Sequence, residues 1–238
     1  MVWLPRWGCD GMITSAQKLL MARAGAGVSA NPSAEYVGSV TKSALNSTDF
    51  DTAEESLDVL SIAEVGDLVV IAITTDTSGD DTFSWEGMPF SNIYTLMATG
   101  NPNVYVGYRV VQAGDTNPYV SGVSGWDYLS IVASVFRNAN TYLGYQVASG
   151  TGLPDPPSLA ASGRLWVITG HLDDDHVTDW VAPSNYTLAA SEISAGSVAS
   201  GASSTVLAYR IEDLSSDDPG GFSGTGDDQW RALTLAFS

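Results

Sequence analysis

The stretch "GDLVVIAITTDTSGDDTFSW", Gly66–Trp85, decides the fold because it has a second copy, "GRLWVITGHLDDDHVTDW", at Gly163–Trp180. Each opens on a glycine, runs through apolar residues, turns in a cluster of aspartates and ends on a tryptophan. Continuous apolar runs bounded by turn residues read as strands buried on both faces. Two more pairs follow in the same order. "VYVGYRVV" (104–111) matches "TVLAYRIE" (205–212), and "SGVSGWDYLSIVASVF" (121–136) matches "SGTGDDQWRALTLAF" (223–237). Gly66 and Gly163 are 97 residues apart, while Tyr108–Tyr209 and Phe136–Phe237 are each 101 apart. Near-constant spacing marks a duplicated unit, with copies over about 66–137 and 163–237. The faces agree too: Val104, Val106, Tyr108 and Val110 map onto Thr205, Leu207, Tyr209 and Ile211.

Each copy predicts four strands, at 67–74, 92–98, 103–112 and 128–137, then at 164–171, 185–190, 204–212 and 229–237. A leading strand over 34–45 adds to one sheet. "SGTGLPDPPSLAAS" (149–162) reads as a Pro-rich linker between the copies. Eight or more strands without crossover helices must close on themselves or pack as two sheets. The expected fold is all-β: a jelly-roll-like β-sandwich of two intertwined four-stranded repeats, forming one domain over 34–238. Residues 1–33 form an N-terminal arm. Its short helix, "TSAQKLLMAR" (14–23), is capped by Thr14 or Ser15 and stopped by Gly25–Gly27. Leu19, Leu20 and Met21 on this helix are the candidate interface residues. "MVWLPRWGCDG" precedes Met12, which is an alternative start.

Composition narrows the function. Of 238 residues, 44% are hydrophobic and 15% charged, enough apolar material for a sizeable core. Nine basic residues face 27 acidic ones, a net charge of −18. That field opposes contact with nucleic acid or an anionic membrane. A single cysteine, Cys9, excludes an internal disulfide. No apolar run reaches the length of a membrane span.

If successive strands alternate in direction, the aspartate-rich loops gather at one acidic rim. Clustered carboxylates suit a hard cation such as Ca²⁺, and Asp80, Asp81, Asp173, Asp174 and Asp175 are the candidate ligands. The competing reading is solvated, turn-capping aspartate, which leaves no cofactor. His171 and His176 flank the second cluster, but the first copy has no histidine, so they stand outside the shared design. Five residues apart, they would face opposite ways on a strand and make a poor zinc pair. No GxSxG elbow or phosphate loop occurs. Arg109 and Arg210 hold equivalent places and read as outward residues paired with acids. Trp126, Trp180 and Trp230 sit near strand ends. There they either cap the sandwich or offer rings to a ligand or partner.

Several of these segments resemble β-rich virion proteins of tailed phages, the capsid decoration and tail appendage types. They are Gly66–Val70, Tyr108-Arg109, "VASVFRN" (132–138), "PDPPS" (154–158), "LDDD" (172–175), "APSNYTL" (182–188), "DDPGGFSGTGDDQW" (217–230) and the terminal "LAF". The resemblance spans about residues 60–238, and "MITSAQKLLMARAG" is similar to the start of such proteins. It implies a virion location and partners among capsid or tail proteins, and it brings no catalytic residues. The expected function is therefore a non-enzymatic capsid decoration (cement) protein, self-associating as a homotrimer. The alternative is a tail appendage or carbohydrate-binding module that recognises a host surface glycan with calcium. A third class, a polysaccharide-active enzyme, would have to use the Asp173–Asp175 cluster.

Overall fold

Both copies of the deciding stretch become central strands of five-stranded antiparallel sheets. The computed structural model describes residues 32–46, 52–76, 84–96, 102–121, 127–173, 177–194 and 202–238. The strands are β1 (Glu35–Asn46), β2 (Leu68–Asp76), β3 (Ser84–Glu86), β4 (Ser91–Leu96), β5 (Asn103–Val110), β6 (Tyr119–Ser121), β7 (Asp127–Arg137), β8 (Tyr142–Gly152), β9 (Gly163–Leu172), β10 (Thr187–Ile193), β11 (Ser204–Leu214) and β12 (Asp228–Phe237). One sheet has the order β1-β7-β2-β5-β4 and the other β8-β12-β9-β11-β10; β3 and β6 pair separately. The chain is an all-β sandwich. The helix expected at 14–23, with Leu19, Leu20 and Met21, lies outside the described residues.

One detail of the expected sandwich changes. The repeats do not intertwine as in a jelly roll: each supplies one whole sheet. β2 takes β5 and β7 of its own copy as neighbours, just as β9 takes β11 and β12. Pairing within a copy closes shorter loops than pairing between copies, so each sheet is completed locally. Each sheet also has five strands rather than four. β1 and β8 fill matching edge places beside β7 and β12, so the duplicated unit starts at the edge strand. β8 occupies 142–152 and shortens the expected linker to the ten residues that follow it.

Side chains alternate across each central strand, and both faces are covered. Leu68, Val70, Ala72, Val104, Val106, Val132 and Phe136 of the first sheet pack against Leu165, Val167, Leu207, Leu233, Leu235 and Phe237 of the second. The outer face of the first sheet (Val69, Ile71, Ile73, Ile131, Val135) is roofed by Leu57, Val59, Met88, Phe90 and Val120. The outer face of the second (Trp166, Ile168, Val206, Ala208) is roofed by Leu159, Val177, Trp180, Tyr186 and Phe222. This double burial explains why β2 and β9 read as unbroken apolar runs. Gly170 in β9 belongs to the same packing. A Cβ there would lie 2.8 Å from Val206 and 3.1 Å from Pro154, so the post-β8 segment can lie directly on the strand.

Ring geometry shows that the sheets are related by an internal two-fold. Phe136 meets Tyr209 edge-on at 5.6 Å and 69°, and its mate Phe237 meets Tyr108 at 5.8 Å and 67°. Tyr36 stacks on Tyr209 (4.6 Å, 17°) as Tyr142 stacks on Tyr108 (5.2 Å, 20°). Each trio joins the first and last strands of one sheet to a middle strand of the other. Equivalent strands therefore run in the same direction.

The expectation of one acidic rim is overturned. β2 and β4 both pair antiparallel with β5, so β2 and β4 are parallel and the chain between them crosses back along the sheet. The same holds for β9, β10 and β11. The loops after the first and third strands of a copy consequently lie at opposite ends. Asp173 and Asp228 fall at one end, whereas Asp115, Asp213 and Asp217 fall at the other.

One carboxylate at the second end is structural. Asp67, 3% exposed, accepts from Arg137 Nε (2.8 Å) and Nη2 (2.9 Å) and from the Glu64 backbone N–H (3.0 Å). Burial pushes its carboxyl up, but these hydrogen bonds outweigh burial and hold it below the ordinary aspartate value. Asp67→Asn is expected to cost about 2 kcal/mol at neutral pH, because Arg137 remains partly solvated. A lowered pKa gives stability that is present above the unfolded value and lost as acid protonates the folded carboxyl. The deficit of the variant in urea titrations should therefore shrink towards pH 3.

Candidate functional site

Of the candidate cation ligands, Asp80, Asp81, Asp174 and Asp175 lie outside the described residues, as does Trp126. Asp173 is described, just past the end of β9. It is only 8% exposed, with its backbone N–H on the Gln229 carbonyl at 3.2 Å. That places it against the fold rather than at a loop tip. Among the described residues no group of three His, Cys, Asp or Glu side chains converges. Trp180 and Trp230 are 5% and 8% exposed and sit in the outer core of the second sheet, Trp180 edge-on to Phe222 at 5.8 Å. Burial gives both the capping role and leaves little ring surface for a ligand.

Sequence reading set His171 aside, yet the structure gives it a defined place. β9 continues through His171, and His171 is the mate of Thr74 in β2 at the 97-residue offset. The two meet at the internal two-fold, Thr74 Oγ1 lying 2.8 Å from His171 Nδ1. Thr205 Oγ1 is 2.6 Å from Thr74 Oγ1 and 2.8 Å from Ser130 Oγ; His171 Nε2 is 3.0 Å from Thr169 Oγ1. Ser203 Oγ donates to the Tyr128 carbonyl at 2.6 Å. The space between the sheets is thus apolar and aromatic at one end and a sealed hydroxyl layer at the other. Burial pushes the imidazole down to about 3, so it is neutral at pH 7. A hydroxyl within reach of an imidazole is the geometry of an activated nucleophile. Here the group is fully buried and its hydrogen bonds run to Thr74 of the other sheet and to Thr169, so it ties the sheets together.

Arg109 and Arg210 behave as outward, acid-paired strand residues. Arg109 holds Asp115 through two hydrogen bonds of 3.1 and 2.8 Å. Burial raises the Asp115 carboxyl, but Arg109 and the Gln112 N–H outweigh it and lower it. Arg210 holds Asp217 at 2.8 Å and also pairs with Glu212; the buried Tyr186 hydroxyl donates to Asp217. Burial first, then Asp217, raises the Tyr186 hydroxyl far above its ordinary value. Beside this clamp runs an open groove of about 370 Å³ lined by Asn185, Thr187, Tyr209, Arg210, Ile211 and Glu212. Tyr36 already stacks on Tyr209 there, and Arg210's three hydrogen bonds go to Glu212 and Asp217 of the same chain.

The least protected surface is an edge. On one side of the sandwich β1 and β10 close together, where the Tyr36 hydroxyl donates to the Ala189 carbonyl at 3.3 Å. On the other side the six-residue β4 faces the eleven-residue β8, which extends past it. Register places Tyr145 opposite Leu235 and Val147 opposite Leu233, so both point to the inner face. They are nevertheless 37% and 36% exposed, and neighbouring Leu143 is 39% exposed. Tyr94 of β4 lies 6.3 Å from Tyr145 and hydrogen-bonds to Arg231 of β12. β8 pairs with β12 and with no other described strand. Its sequence, "YLGYQVASGTG", holds no Asp, Glu, Lys, Arg or Pro. Those are the residues that usually guard an edge. No protein-family model, curated protein or solved structure matches the chain.

Proposed function

We propose that this chain is a non-enzymatic structural protein of a phage particle, acting as a homo-oligomer on the capsid surface. The observation that carries the reading is the bare edge β8: an uncharged, partly apolar strip on a chain of net charge −18. Charge of one sign elsewhere keeps such a protein soluble, and the neutral strip is where contact costs least. Likeness of the strand and turn motifs to phage virion proteins supplies the particle. A tail appendage or glycan-binding module is the second reading, favoured by the open groove beside Arg210 and Tyr209.

The experiment is quantitative mass spectrometry of gradient-purified particles from the source of this sequence. Peptides of the chain should co-purify at a ratio to the major capsid protein that stays constant across the particle peak. Absence from intact particles would remove the reading. Binding to a glycan array that is abolished by a chelator would put the second reading in its place.

A further inference from the structure

We infer that β8 pairs antiparallel with β8 of a second copy across a two-fold axis, joining the two second sheets into one continuous sheet. The inference rests on the homo-oligomer reading above and specifies its contact. A strand edge presents alternating N–H and C=O groups, so an antiparallel copy of the same strand is complementary to it by construction. Charge selects the same partner. Copies of a chain with net charge −18 repel wherever acids meet, and β8 has no charge to repel. At the far end of β8, Asp228 lies opposite Gly152, six positions from Gln146. With the axis near Gln146, that carboxylate is about 20 Å from it.

The other edges suit this less. β1 carries Glu35 and Lys42 and closes on β10. β4 is short, and β10 carries Glu192.

Side-chain alternation fixes the register. Only registers with the two-fold on a residue keep inner-face side chains on one face. With the axis at Gln146, Tyr145 of each copy lies opposite Val147 of the other, an aromatic–β-branched pair made twice. The exposed Gln146 side chains then lie side by side on the outer face. Gly144 meets Ala148 of the second copy, short of the irregularity at Leu143.

The test uses the full chain with Cys9→Ser, which removes the only native thiol. In that background Gln146→Cys places two thiols directly opposite each other, within disulfide reach. Ser149→Cys puts its two thiols about 20 Å apart. The Gln146→Cys protein should oxidise to a covalent dimer at least about ten times faster than the Ser149→Cys protein. Independently, Gln146→Glu and Gln146→Lys should each weaken self-association at least about fivefold, and mixing them should restore it. Equal cross-linking at the two positions, no recovery on mixing, or a strictly monomeric or odd-numbered assembly would overturn the inference. An odd-numbered assembly would still leave a homo-oligomeric virion protein standing. A β8 dimer missing from particles would remove the virion role but keep this contact.

Discussion

Replacing Phe237 with alanine is expected to destabilise the fold by about 3–5 kcal/mol. Phe237 is fully buried between the sheets. It packs on Tyr108 at 5.8 Å and Tyr142 at 5.7 Å, and its backbone pairs with Leu165. Its loss opens a cavity in the one core the two repeats share. The next residue is also held there, since Ser238 and Thr141 exchange two backbone hydrogen bonds of 2.9 Å. Phe136→Ala, at the mate position, should cost the same within about 1 kcal/mol, because it removes the equivalent ring from the equivalent trio. For a domain of this size the melting temperature should drop by about 10 °C in each case. Tyr145→Ala, at the exposed edge, should cost less than about 1 kcal/mol in the dissociated chain. A near-neutral Phe237→Ala, or a large gap between the two mates, would contradict the internal two-fold as the organising feature.

The second large effect is acid lability from His171. Its pKa is near 3 in the fold and about 6.5 when unfolded, so between these values the unfolded chain binds a proton that the folded chain does not. Stability therefore rises with pH across that window and falls as acid is added. One proton corresponds to about 1.4 kcal/mol per pH unit, but the unfolded imidazole is only half-protonated at pH 6.5, so about 2 kcal/mol should be lost between pH 6.5 and 4.5. In that range Asp67 and Asp115, held below the ordinary aspartate value, contribute little; their loss comes lower. The hydrogen-bond partners around the imidazole are hydroxyls, Thr74 and Thr169 directly, then Thr205, Ser130 and Ser203, and Arg231 of β12 lies opposite His171 in register. No carboxylate there receives the proton in exchange. His171→Thr gives the second copy the residue the first copy has at this place, and it should flatten the profile between pH 6.5 and 4.5. Urea titrations at stepped pH measure this directly; an unchanged slope in the variant would remove His171 as the cause.

Much of the sandwich is legible in the residues because both faces of the central strands are buried. β2, β5, β7, β9, β11 and β12 begin and end close to where the apolar runs do. The mates Tyr108–Tyr209 and Phe136–Phe237, paired from spacing alone, hold equivalent places across the core, Tyr108 meeting Phe237 and Tyr209 meeting Phe136. β8 was hidden for the reason that makes it interesting. An edge strand needs one buried face at most, so "QVASGTG" carries small polar residues and looks like linker. Gly150 there lies against the Trp230 ring, where a Cβ would come within 2.8 Å. The acidic rim misled because periodicity gives strand positions but not the direction of return, and the chain after β2 recrosses the sheet before β4 begins. His171 was misjudged because its mate is a threonine. Residue identity differs between the copies, while the inward slot and its polarity are kept. The aspartate cluster after β9 drew attention as chemistry, yet Asp173 is packed against the fold and the rest of the cluster falls outside the described residues.

The account turns on one claim, that this chain works by assembling through an uncharged sheet edge. Sedimentation equilibrium of the full chain at micromolar concentration, in low and in high salt, tests it most directly. The predicted result is a species of twice 24.9 kDa whose association tightens as salt screens the repulsion between two acidic chains. A single species of 24.9 kDa at every concentration and salt would contradict it.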